Sequence, residues 1–319
     1  MIERSESAEL LERVAATGLL SPGTRVLVLL SGGRDSTCLL DMAVALGCAV
    51  RALHVDYGLR TESAQDAEHC RALCARLEVE LDLERVGRPE DAPGNLQAWA
   101  RDVRYAAAAR AAGGGLVAAG HTASDQAETV LYRLATSPGR RALLGMRPRS
   151  GHLIRPLLSL TRAETAQWCL SRGLPWREDT SNTSDRFARV RVREGLVPAL
   201  EAVDPRAVDS ILRTAELLRG EAEVLDVVVE TALAGRDRIA VAHLAALPRA
   251  LARLVVRRLA EDATGAACPR AATRLDDLIA LRDGALDVGE GARGVVAGGV
   301  LRFEATPPLG AGSRTAADA

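Results

Sequence analysis

The stretch RVLVLLSGGRDSTCLLDMAVALG, residues 25–47, decides the fold. An apolar, branched run over 26–30 breaks into Ser31-Gly32-Gly33-Arg34-Asp35-Ser36. Helical spacing then begins at Leu39, Leu40, Val44 and Leu46. Strand, tight glycine turn and helix start, in that order, build a cradle for phosphate. Backbone amides of Gly32 and Gly33 converge on the anion, the helix adds its positive end, and the Ser31 and Ser36 hydroxyls can donate as well. The P-loop form of this cradle carries a lysine after its last glycine. Here there is none, and all 41 basic residues of the 319 are arginine. A P-loop lysine and a Schiff-base lysine are both excluded.

Outward from the loop, buried strands are expected at 25–30, 49–55, 79–83 and 116–119, with helices at 64–77 and 96–112. This alternation indicates an α/β fold, a parallel sheet with helices on both faces. Ligands in such folds sit at the carboxyl ends of the strands. Thr161-Arg162-Ala163-Glu164 is a capping box that opens a further helix. Pro198 and Pro205 flank a boundary, so the catalytic domain is expected over 1–200 and a mainly helical second domain over 201–305. Helices are expected there at 206–234, 241–262 and 270–282, and a small hairpin within 287–304. Residues from 306 onward read as a disordered tail.

Hydrophobic residues make up 48% and charged residues 26%, which places the chain among globular proteins rather than disordered or fibrous ones. A net charge of −1 excludes a global electrostatic field, so nucleic-acid binding must come from local patches. Arg133, Arg140, Arg141, Arg147, Arg149 and Arg155 form one such patch, with no acid in the interval. Arg186, Arg189, Arg191 and Arg193 form a second. The first is expected to contact phosphates, since a merely solvated face normally mixes both signs. Six cysteines show neither CxxC nor zinc spacing. Cys70 and Cys74, four apart, share a helix face and pack as small hydrophobes. No signal-peptide core and no segment of transmembrane length is visible, so a cytoplasmic protein with no membrane partner is expected.

Asp35 is the informative residue of the loop. A carboxylate among phosphate-binding amides is repelled unless a metal such as Mg2+ bridges it to the phosphates, the alternative being a helix N-cap. The SGGxDS pattern resembles the signature of the PP-loop ATP pyrophosphatases, a Rossmann-like superfamily. Its loop holds the pyrophosphate that leaves when ATP is cleaved between its α- and β-phosphates. Further motifs follow in order: ALHVDYGLR (52–60), AWARDVRY (98–105), GHTASDQAETVLYRL (120–134), LLGM (143–146), IRPLL (154–158) and REDTSNTSDRFARVRVR (177–193). Six ordered motifs together resemble the tRNA(Ile)-lysidine synthetases, strongly over 25–200 and weakly beyond. The chain departs from the family pattern HHxDDQxET, keeping His121, Asp125, Gln126, Glu128 and Thr129 but carrying Thr122 and Ser124 in place of a histidine and an aspartate. Tyr57 stands where a second histidine is usual, Val190 where asparagine is, and TSPG (136–139) where RGSG is.

The resemblance implies a ligase that uses ATP to adenylate the wobble cytidine of a CAU-anticodon isoleucine tRNA and then displaces AMP with free lysine. It also allows a homodimer. If Thr122 caps a helix, Asp125 lies in its first turn and Glu128 one turn on, on the same face. The pair is expected mainly to anchor the α-ammonium of lysine and to orient it. It does not serve as base, because carboxylates stabilise the charged amine and oppose its attack. His121 is open to two readings, a base or a structural residue at a strand end. By resemblance Arg101 contacts the α-phosphate during AMP transfer, and Asp56 orients nucleotide or metal. The polar segment with Asp179, Ser181 and Asn182 is expected to position the tRNA together with Arg155, the alternative being packing beneath the site. Two other readings are weighed: a PP-loop tRNA thiolase, which would need catalytic cysteines, and an ATP-binding module that has lost catalysis.

Overall fold

β1 (Arg25–Leu29) is the hub of a six-stranded sheet. Val26 and Val28 join the core on one face of the sheet, and Leu27 and Leu29 the core on the other. A strand covered on both sides must be apolar throughout, which is why this run shows no alternation. In the computed structural model, which describes residues 2–58, 63–88, 96–137, 139–178 and 188–306, β1 pairs in parallel with β2 (Ala49–Asp56) and β4 (Leu116–Ala118). β3 (Glu80–Arg85) continues the parallel set beyond β2. Beyond β4 come β6 (Leu153–Ile154), parallel to it, and β5 (Arg149–Ser150), antiparallel to β6. The order is β3-β2-β1-β4-β6-β5.

One face is covered by α1 (Ile2–Ala15), α2 (Arg34–Ala45), α3 (Ser63–Arg76) and α7 (Arg162–Ser171), through Leu10, Val14, Leu39, Leu40, Cys70, Leu73 and Trp168. The other is covered by α4 (Leu96–Ala112), whose Ala107 and Ala108 let it lie close to Leu27, Leu53 and Val117. The four long strands and both intervening helices fall within a residue or two of the sequence expectation. The β5–β6 pair was not expected: two residues per strand carry no readable period.

α5 (Ala123–Thr136) and the single turn α6 (Arg140–Leu143) precede the β5–β6 hairpin. After α7 the described chain resumes at α8 (Ala188–Arg191), runs through a π-helical turn at Val192–Leu196, and continues as α9 (Val197–Val203). α8 and the π turn both pack on α5. α10 (Ala207–Leu233) is one unbroken helix, and the chain divides into its two compact units inside it, between Leu218 and Arg219. The division lies beside Gly220 within this helix, beyond Pro198 and Pro205.

The second unit contains β7 (Arg238–Ala240), α11 (Val241–Ala246), α12 (Arg249–Thr264), α13 (Leu275–Ala280), β8 (Gly284–Gly289), β9 (Ala292–Ala297) and β10 (Val300–Ala305). Its strands form an antiparallel sheet in the order β7-β10-β9-β8, packed on α12 around Val255, Val256, Leu259, Leu278, Val296 and Leu301. The expected hairpin is therefore part of a four-stranded sheet. β7 is too short to register as a strand, and β8 is thinned by its terminal glycines. Residues 307–319, read from sequence as a tail, lie outside the described residues, as do Asp179, Ser181, Asn182 and Arg186.

Candidate active site

The chain leaves β1 at Leu29 and re-enters regular structure at Arg34. Gly32 makes that turn at φ +83°, a conformation that a side chain disfavours, and a Cβ there would sit 3.3 Å from Cys70 Sγ. Gly33 is the N-cap of α2 in extended conformation with no side chain capping it, so the first-turn amides stay available to an anion. Ser36 Oγ donates to the Gly33 carbonyl at 2.9 Å and accepts from the Ser31 amide at 3.2 Å, which braces the turn from within. Gly120, at the end of β4, closes on this loop: a Cβ there would lie 2.9 Å from the Asp35 carbonyl oxygen. Only glycine allows that approach, and it brings the start of α5 beside the start of α2.

Asp35 is the second residue of α2 and Gly33 is the cap, so the capping role open to Asp35 in sequence falls away. Its Oδ1 accepts from Thr165 Oγ1 at 2.5 Å and from Arg34 Nε at 3.1 Å. Its Oδ2 faces Arg162 Nε at 4.0 Å. Among the described residues no group of three or more histidine, cysteine or acidic side chains is arranged to hold a metal. One carboxylate oxygen beside a phosphate cradle is nevertheless the donor set that Mg2+ uses when substrate phosphates supply the other ligands. The residues present fit the ion on those terms.

α5 opens with a capping box: Thr122 Oγ1 accepts from the Asp125 amide, and Asp125 Oδ2 accepts from the Thr122 amide at 2.8 Å. Asp125 Oδ1 is thereby turned outward, where Arg162 Nη2 reaches it at 2.5 Å. Arg162 Nη1 donates to Glu128 Oε1 at 2.6 Å, and Arg193 Nε to the same oxygen at 3.0 Å. Burial works against the charge of Arg162, yet Asp125, Glu128 and Asp35 hold it protonated more firmly than an ordinary arginine. Arg193 stands on the π-helical turn, a local widening that recurs at functional positions.

Asp125 and Glu128 open onto a cavity of about 300 Å³ that Arg101, His121, Arg133, Arg147, Arg155, Arg189 and Arg193 also line. Burial pushes Arg155 below its usual value, Tyr105 opposes this, and Arg101 and Arg133 add to it. Arg133 is lowered by burial and then by Arg189 and Arg101. His121 is pushed down to about 4, first by burial, with Asp125 opposing and Arg155, Arg104 and Arg101 assisting. Its buried Nδ1 has no hydrogen-bond partner among the described residues. It is a neutral imidazole at neutral pH, able to accept a hydrogen bond and far too weak a base to deprotonate an alkylammonium by itself.

Arg101, His121, Asp125 and Glu128 are thus brought to one cavity, and Arg162 ties Asp35 to them. Ser31 to Ser36 lie beside it and do not line it. Arg34 turns back onto Asp35. Asp56 closes a turn by accepting from the Gly58 amide at 2.8 Å; burial raises it, but Gly58, Ser63 and Arg85 together leave it below the usual carboxylate range. Tyr57, the departure from the histidine pattern, donates to the Ala100 carbonyl at 3.0 Å and stacks edge-on with Trp99, fastening the helix that carries Arg101. One contributor had no sequence signal, and another, Gln126, was visible only as a retained motif position. Arg162 read only as the second residue of a capping box. Gln126 clamps the LLGM segment by accepting from the Met146 amide at 2.6 Å and donating to the Met146 carbonyl at 2.9 Å. The cysteines contribute nothing to the site: five are buried, Cys48 is half-buried and none lines the cavity.

Residues 4–200 match the PP-loop domain family, which fits the strand, glycine turn and helix described above. The chain is 41% identical over 261 residues to a tRNA(Ile)-lysidine synthase of Solibacter usitatus, covering 77% of this chain and 59% of that one. It is 38% identical to the enzyme of that name from Thermobifida fusca, with 82% and 83% covered. For that of Symbiobacterium thermophilum the identity is 37%, with 95% and 70% covered. The chain belongs to the tRNA(Ile)-lysidine synthase family of PP-loop proteins. Among solved structures, the U34-tRNA thiolase NcsA from Methanococcus maripaludis aligns with a TM-score of 0.58 at 19% identity, over 68% of this chain and 80% of that one, and so shares the fold.

Proposed function

We propose that this chain joins free lysine to the wobble cytidine of a CAU-anticodon isoleucine tRNA in two steps at the cavity described above. In the first, the cytosine O2 attacks the α-phosphorus of ATP and the bond to the pyrophosphate oxygen breaks. In the second, the lysine side-chain nitrogen attacks carbon 2, the carbon–oxygen bond to AMP breaks, and the nitrogen gives up a proton. The observation that carries the reading is the convergence of Arg101, Asp125 and Glu128 on one cavity, with Asp35 joined to the carboxylate pair through Arg162.

Each group has a task set by its charge. The Ser31–Ser36 turn presents amides to the departing pyrophosphate. Asp35, through Oδ2, is the residue that would hold Mg2+, which supplies neutralisation of phosphate charge. Arg101, positively charged and on the cavity wall, stabilises the charge that builds on the transferring phosphoryl group. Asp125 and Glu128 orient the amine of lysine, and the arginines of the opposite wall take phosphates of the anticodon loop. A cytoplasmic site of action is part of this proposal; among the described residues no helix is long and apolar enough to cross a membrane.

The test is incorporation of labelled lysine into an isoleucine tRNA transcript with a CAU anticodon, in ATP and magnesium, beside a transcript with another wobble base. Labelling that depends on both ATP and the cytidine is expected. Absence of labelling with ATP still bound would overturn the proposal.

A further inference from the structure

Two carboxylates make a poor seat for an amine that must attack. A free alkylamine has a pKa of about 10.4, and adjacent carboxylates raise it further. A bare Asp125–Glu128 pair would bind lysine tightly as the ammonium, which has no lone pair to offer. The pair is not bare. Arg162 bonds to both acids at once, at 2.5 and 2.6 Å, and Arg193 takes both oxygens of Glu128, at 3.0 and 3.3 Å. Two acids and two guanidiniums sum to zero. The second oxygen of Asp125 is spent on its capping box.

Arg162 is placed by several bonds. It opens α7 directly after the Thr161 cap, its amide donates to Ser124 Oγ at 3.3 Å, and Thr165, one turn on, is bonded to Asp35. Behind it, buried Asp41 accepts from Trp168 Nε1 at 2.9 Å and Arg172 Nε at 2.6 Å, which clamps α7 to α2. Its guanidinium therefore stands where a substrate ammonium would bond. Among the described residues the other charged groups lining the cavity are positive, Arg101 from α4, Arg133 from α5, Arg147 and Arg155 beside the β5–β6 hairpin and Arg189 from α8, and none makes an ion pair with either acid. Asp35 of α2 faces Arg162 from the far side, and His121 is neutral.

We propose that Arg162 is a positioning residue for the second step: by competing for Asp125 and Glu128 it lets the pair orient the lysine amine without locking it as the ammonium. The proposal rests on the reading of Asp125 and Glu128 as the lysine seat, and it places the side-chain amine, not the α-ammonium, against them. It gives Arg162 a signature opposite to that of an ordinary binding residue. Its loss tightens lysine binding and slows transfer, because the ground state is stabilised more than the transition state.

The experiment measures lysine KM and kcat for transfer to pre-adenylated tRNA on the full chain, in the wild type, Arg162→Gln and Arg162→Lys, with adenylation followed separately by pyrophosphate release. In Arg162→Gln, KM is expected to fall about threefold and kcat about tenfold. Arg162→Lys restores the charge and is expected to return most of kcat. A raised KM with unchanged kcat, or a loss of kcat that Arg162→Lys does not repair, would overturn the proposal. If Arg162→Gln does not fold, Arg193→Gln must move both constants in the same directions by less, and failure to do so overturns it equally. Asp125→Asn is the separate control: an unchanged lysine KM there would remove the underlying seat rather than the role of Arg162.

Discussion

The two walls of the cavity are built on opposite principles. On one side, Asp125 and Glu128 are each met by arginine, as is Asp35 just beside the cavity, and the charges cancel within a few ångströms. On the other, Arg101, Arg133, Arg147, Arg155 and Arg189 face the same space, and none makes an ion pair with a carboxylate among the described residues. On the proposed reading the balanced wall is selective, because a small cationic substrate must compete for bonds already made. The unbalanced wall holds positive charge against burial, which lowers Arg133 and Arg155, and an incoming anion would relieve it. A polyanion suits it, and its affinity there must depend on salt.

The largest effect is expected where the balanced wall meets the phosphate turn. Asp35→Ala removes the carboxylate that opens α2 at the cradle, and pyrophosphate release should fall by about a hundredfold or more, with the circular dichroism spectrum unchanged. A normal release rate would cut Asp35 out of the chemistry and leave it a bracket for Thr165. Next comes Asp125→Asn, which keeps the shape and the cap acceptor but removes the charge. Lysine KM should rise by about tenfold while ATP KM stays within about twofold. Equal changes in both would mean that the balanced wall does not discriminate between substrates.

Much of this contrast was legible in the residues, for reasons that can be named. The turn at Ser31–Ser36 carries its own punctuation, and the Thr122–Asp125 and Thr161–Glu164 boxes announce helix starts through local spacing alone. What stayed hidden depends on contacts across long separations. Arg162 and Asp125 lie 37 positions apart, and nothing near Arg162 marks it as more than the residue after a cap. The arginine-rich stretch from 133 to 155 read correctly as charge, but not as a wall of the same cavity that holds the acids. The π-helical turn that carries Arg193 leaves no pattern in side-chain chemistry, since it is a backbone event.

The unbalanced wall yields a smaller and more diagnostic effect. Arg189 is exposed, lies over the Tyr132 ring at 5.9 Å and makes no ion pair among the described residues, so Arg189→Ala should spare the fold. Binding of tRNA should weaken, and the slope of log K against log salt should shrink by about 0.7, the value for one contact to a single-stranded phosphate. An unchanged slope would show that the exposed arginine charge of this wall is not spent on phosphates.

The smallest effect belongs to His121, which sits between the walls. Its folded value, about 4, lies below the ordinary value of 6.5, so between those limits the unfolded chain binds a proton that the native chain refuses. The stability that goes with a neutral His121 is therefore complete above about pH 6.5 and drains away as pH falls toward about 4. His121→Asn removes that titration. The melting temperature of the wild type should drop further than that of the variant between pH 7.5 and pH 4.5, by a margin set by burial and not by the carboxylates, which both chains share. Activity at pH 7.5 should fall by no more than about threefold, because the lost group accepts a hydrogen bond and carries no charge there. If instead the transfer rate of the wild type bends near pH 6.5 and the bend vanishes in the variant, His121 titrates as a base in the open cavity. The burial that separates it from both walls would then be absent in the working enzyme.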